Sequence, residues 1–101
     1  MFVAIHHSVT DPKKWEAAGK QIESMIETGK LPQGVKALLY LPSTDGRRAD
    51  CLWQADSVEN LKRFLDPYLT GASKDEYFQV NTELAFGLPQ TTPVPEKVAA
   101  Q

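Results

Sequence analysis

The chain carries one cysteine, Cys51, in 101 residues, so no disulfide within the chain is possible. That usage agrees with a reducing, cytoplasmic setting. Basic excess is missing too: 11 Lys and Arg against 13 Asp and Glu give a net charge of −2, with no Lys/Arg stripe. Electrostatic capture of nucleic acid is therefore not expected. No long hydrophobic run exists. The longest is Ala37-Leu38-Leu39-Tyr40-Leu41, far too short to span a bilayer, so no membrane contact is expected. The apolar start has no basic region before it and reads as a strand, not a signal peptide. Internal repeats, an HExxH pair, a CxxC pair and a phosphate-binding glycine loop are all missing, which argues against a closed zinc site and against nucleotide chemistry.

What is present is a globular composition, 42% hydrophobic and 24% charged, in a length that fits one domain. A chain of this size buries roughly 60–65% of its unfolded surface, enough for a core without metal or disulfide staples. The residues up to 89 carry the alternating and helical patterns. Residues 90–101 hold Pro93 and Pro95 with few large apolar side chains, and read as a flexible C-terminal tail.

Phe2 to Ser8 is β-branched and aromatic enough for a first strand. Asp11-Pro12 then supplies an N-cap and a proline at the first helical position, where its missing N–H costs nothing. Trp15, Ala18, Ile22, Met25 and Ile26 follow at steps of three and four, one apolar helical stripe that Gly29 and Pro32 terminate. Val35–Leu41 and Arg48–Ala55 flank Pro42-Ser43-Thr44-Asp45-Gly46 and read as a hairpin. Asp56 with Glu59 forms a capping box before a second stripe, Val58, Leu61, Phe64, Leu65 and Tyr68. Pro67 should end or kink that helix near Asp66. Glu76–Val80 is taken as the fourth strand, with Asn81 capping a short helix over 82–86.

The order β-α-β-β-α-β predicts an α+β, ferredoxin-like split βαβ fold with a four-stranded antiparallel sheet. Right-handed crossovers place both helices on one face. The other face is left open, and a homodimer through that face is the expected partnership. Strand alternation assigns Val3, Ile5, His7, Val35, Ala37, Leu39, Leu41, Cys51, Trp53, Ala55, Phe78 and Val80 to the helix side. It assigns Ala4, His6, Ser8, Lys36, Leu38, Tyr40, Asp50, Leu52, Gln54, Tyr77 and Gln79 to the open side. A one-residue bulge inverts any of these sets.

The candidate site residues, His7 apart, come from the open side. His6 is a candidate base, with Tyr40 or Tyr77 to orient a substrate, and His6 or His7 is a candidate metal ligand. Neighbours on a strand point to opposite faces, so one ion does not take both histidines. A lone strand cysteine reads as a small buried hydrophobe, and no local Cys-His-Asx signature accompanies Cys51.

Ile5-His6-His7, Cys51-Leu52-Trp53-Gln54-Ala55-Asp56-Ser57 and Tyr77-Phe78-Gln79-Val80 resemble a small bacterial ferredoxin-like family with nickel-binding members. The resemblance spans roughly residues 2–80 in order of elements. Its general shape is similar to the dimeric α+β barrel superfamily, which includes small monooxygenases, isomerases and stress-related proteins. It implies two open sheets packed into a barrel around a small molecule. It also implies, as alternatives, a divalent metal held by His6 or His7, or a cofactor-independent isomerase or monooxygenase using His6. Apart from that metal, no cofactor is implied. The segment from Leu65 to Asn81 carries no histidine, which departs from the nickel-binding pattern.

Overall fold

The computed structural model describes residues 1–95; the last part of the expected tail, 96–101, lies outside the described residues. Elements run β1 (Phe2–Val9), α1 (Pro12–Glu27), β2 (Val35–Pro42), β3 (Arg48–Ala55), α2 (Val58–Leu69) and β4 (Ser73–Gln79). The sheet order is β2-β3-β1-β4 and every neighbouring pair is antiparallel. This is the ferredoxin-like α+β fold that the element order predicts. Among the described residues no helix is long and apolar enough to cross a membrane.

The helix starts follow from local hydrogen bonding. Asp11 Oδ1 accepts from the backbone N–H of Lys13 and Lys14, both at 3.1 Å, and satisfies two of the donors that a helix start leaves open. At the second helix the cap is Ser57, not Asp56. Ser57 is extended and its Oγ accepts from Asn60 N at 3.0 Å. Asp56 instead accepts from the Asn60 side chain at 2.9 Å. It also packs against Gly34, where a β-carbon would stand 2.6 Å from Asp56 Oδ2; with φ at +88°, that position requires glycine. Pro67 does not end α2, which continues to Leu69. The proline lies in the last turn, where it removes one helical donor, and Thr70 closes the end through N–H and Oγ1 bonds to Asp66 O at 2.9 and 2.7 Å.

Two strands depart from simple alternation. In β2, Ala37 pairs with Trp53 but Leu39 pairs with Leu52, so Leu38 is an extra residue in a β-bulge. Beyond it the faces invert. Leu39 and Leu41, expected against the helices, stand on the open side, and Tyr40, expected open, shares the helix side with Cys51. In β4 the pairing Ile5–Tyr77 and Ala4–Phe78 places Tyr77 and Gln79 on the helix side and Phe78 on the open side, the reverse of the expectation. The strand begins at Ser73, and in place of the expected short helix over 82–86 there is a turn at 82–84 followed by irregular chain. In β1 and β3 the assignments hold as predicted.

The core lies between the sheet and the helices. It contains Val3, Ile5, Val35, Trp53 and Ala55 from the strands with Ala18, Leu61, Leu65 and Leu69 from the helices. Burial of this apolar surface is the main stabilising term. Residues 90–95 are irregular and pass over one end of the open face, where Lys36 Nζ donates to Thr92 O at 2.9 Å.

Candidate functional site

The register sorts the polar side chains onto two faces of one sheet. On the helix side, His7 lies opposite Asp75 of β4, and Cys51 of β3 sits diagonally from it. His7 Nδ1 is 2.6 Å from Asp75 Oδ1, and His7 Nε2 is 3.2 Å from Cys51 Sγ. Ser73 Oγ donates to the same Asp75 oxygen at 2.7 Å. Trp15 of α1 closes the cluster, its ring 4.9 Å from the imidazole. His7 is 2% exposed, and so rare a burial for a histidine is balanced by a partner on each ring nitrogen. A carboxylate only accepts, so Nδ1 carries the proton and Nε2 faces the sulfur. The thiol is pushed up from its ordinary 9.0 to about 12, first by burial and then by the charges of Asp50 and Asp75. It is a protonated thiol that donates to the imidazole.

Tyr77 also belongs to this side. Its hydroxyl donates to Asp66 Oδ1 of α2 at 3.2 Å, and Lys62 Nζ lies 5.9 Å from the ring centre. Burial foremost, with Asp66 and Asp75 adding, holds the phenol well above its ordinary range, so it remains a neutral donor. Tyr40 stands beside Cys51 on the edge strand and is 55% exposed.

The open side is arranged in rows across the strands. Lys36, Gln54 and Phe2 form the row nearest the C-terminal arm. The next is wholly apolar: Leu39, Leu52, Ala4 and Phe78. Leu41, Asp50, His6 and Glu76 follow, and then Arg48, Ser8 and Lys74. His6 Nδ1 lies 2.6 Å from Asp50 Oδ1, and both side chains are well exposed. At the arm's end, Phe2, Gln54, Thr82, Pro89, Thr91 and Val94 border a shallow, open cavity of about 600 Å³.

Of the site residues named from the sequence, His6 stands alone on the open face. His7, Tyr40 and Tyr77 share the opposite face, so within one protomer the sheet separates His6 from both tyrosines. The two histidines diverge as predicted, and among the described residues no group of three or more His, Cys, Asp or Glu side chains is placed to hold a metal ion. What the sequence did not reveal is the meeting of His7 with Cys51 and Asp75, which lie 44 and 68 residues further along the chain. The available signal was the sheet order: β1 lies between β3 and β4, so helix-side residues of all three strands converge.

No family model matches the chain, and no curated protein matches it. Among solved structures it is similar to a de novo designed protein with a ferredoxin fold, determined by solution NMR, at 14% identity and a TM-score of 0.44. The match covers 89% of this chain and 93% of that one. The fold assignment rests on this chain's own element order and strand pairing.

Proposed function

We propose that this protein is a small homodimeric α+β barrel in which two copies pack their open sheet faces together and hold a small molecule between them. The observation that carries this reading is the apolar row. Leu39 and Phe78 are 42% and 56% exposed, and Leu41 in the next row is 59% exposed. Contiguous apolar surface of this kind is what a monomer ordinarily avoids. A second copy of the same face is the simplest cover, because an isologous interface needs only self-complementarity. The flanking rows carry both signs, Asp50 and Glu76 beside Arg48 and Lys74, and so supply polar edges to an apolar centre. His6 sits at the border of the apolar row, where it would line an enclosed cavity. The setting is the reducing cytoplasm, with Cys51 kept as a thiol. The metal and His6-base readings draw no comparable support: the His6 ring is engaged by the Asp50 carboxylate, and neither tyrosine stands on its face.

Sedimentation equilibrium at high micromolar concentration should give a dimer, and Phe78→Ser should give a folded monomer. A wild-type monomer under those conditions overturns the reading. Native mass spectrometry of the purified dimer should then show a small molecule travelling with it.

A further inference from the structure

The remaining cluster of reactive groups is the one on the helix side, which the dimer reading does not use. It contains a thiol, an imidazole within hydrogen-bond reach of it at 3.2 Å, and a carboxylate that holds the imidazole from behind at 2.6 Å. This is the arrangement that activates a covalent nucleophile: the base touches the nucleophile, and a third group fixes the base's tautomer and angle. We infer that Cys51 is a nucleophile for activated acyl groups, with His7 as its general base and Asp75 as the residue that positions His7.

Three observations shape the chemistry. First, the three groups come from three adjacent strands, so rigid sheet pairing holds them, not loops. Second, the sulfur is protonated at neutral pH, because burial and the two aspartates resist a thiolate. Attack therefore requires the proton to leave as the new bond forms, and His7 Nε2 is the acceptor already in place. Third, the approach is from the edge strand. Cys51 is only partly buried, and its neighbour Tyr40 and the following helix-side residue Pro42 are exposed.

The step balances without any further reactant. Cys51 Sγ attacks the acyl carbon while its proton passes to His7 Nε2, and the imidazolium is stabilised by Asp75. The tetrahedral adduct collapses by breaking the bond to the leaving group, which departs with its electron pair and takes the proton from His7. The product is a thioester on Cys51. The substrate class is a small acyl compound whose leaving group departs readily, a thioester or an aryl ester.

The probe is p-nitrophenyl acetate with the full chain. One equivalent of p-nitrophenolate per chain is expected in a burst, with the acetyl group on Cys51 by peptide mass spectrometry. Cys51→Ala should remove the burst. Asp75→Asn and His7→Gln should slow acylation about 100-fold or more, the range of general-base assistance. Because His7→Gln is a buried substitution, its fold is checked by circular dichroism. The wild-type pH profile gives an independent reading: the rate should level off well below the ionisation of the thiol and show a solvent deuterium isotope effect. A rate that climbs steadily towards pH 12, an acetyl group on lysine instead of Cys51, or an unchanged rate in folded Asp75→Asn overturns the inference. This site lies on the opposite face from the dimer surface, so its failure leaves the dimer reading untouched, and the reverse also holds.

Discussion

His6 and His7 are adjacent in the chain and live in different solvents. His6 looks out from the open face to Asp50, with both side chains well exposed. His7 is buried among Trp15, Cys51 and Asp75. The comparison extends to the whole sheet. One face is a packed core in which His7, Asp75, Cys51 and Tyr77 are each matched to a polar partner. The other is a set of rows in which Leu39, Leu41 and Phe78 stand exposed. The lesson is that a residue's chemistry here is set by the parity of its strand position. An imidazole can be a fixed core element or a solvated surface group one residue apart.

The difference between faces is tested most severely in the core. Ile5→Ala, at 1% exposure, should cost about 2–5 kcal/mol by lost burial and a residual cavity. Leu41→Ala on the open face should leave a dilute denaturant melt within about 0.5 kcal/mol. Equal losses would show that the open face is packed within the monomer.

His7→Ala should cost roughly 1–3 kcal/mol, since it strips Asp75 and the Cys51 thiol of their imidazole partner. Urea titration of the purified variant measures this. Next is Tyr77→Phe, which removes only the hydroxyl that donates to Asp66 and should cost about 0.5–1.5 kcal/mol in the same assay. No change would mean the hydroxyl is better placed with water than with Asp66.

Cys51 sets a pH dependence. Its folded value is raised to about 12, above the unfolded value, so folding favours the protonated thiol. The contribution is complete below the unfolded value and is lost as pH rises towards about 12. Thermal melts between those limits should therefore fall more steeply in the wild type than in Cys51→Ala, in which this contribution is missing. Parallel slopes would show that the thiol is not protected.

The smallest effect belongs to His6→Ala. An exposed pair such as His6 with Asp50 contributes little, so the melt should move by less than about 0.5 kcal/mol. The same variant should lose any small molecule held between the two sheets, read by native mass spectrometry. A large loss of stability would invert the assignment of the two faces.

Much of this was legible in the sequence because it depends on short-range patterns. Asp11-Pro12 and Gly29 bound α1, the two apolar stripes set the helix faces, and Asp45-Gly46 closes the hairpin. Strict alternation in β1 and β3 gave the correct faces for His6, His7 and Cys51. The uniform run Ala37 to Leu41 contains no polar residue to mark a face, so the bulge at Leu38 left no local trace. β4 misled for a related reason. Its most hydrophobic side chain, Phe78, points outwards, while Tyr77 and Asp75 go inwards because Asp66 and His7 are there to receive them.

By itself, then, the sequence determined the element order, the ends of α1, the open sheet face and the divergence of the two histidines. These follow from helical and strand periods and from turn chemistry, which act over a few residues. Only the tertiary structure decided the registers beyond the bulge and in β4, the passage of residues 90–95 over the open face, and the meeting of Cys51, His7 and Asp75. Each depends on which backbone groups pair across strands far apart in the chain. That choice is made by the packing of the whole core, where a shift of one residue moves every side chain to the other face.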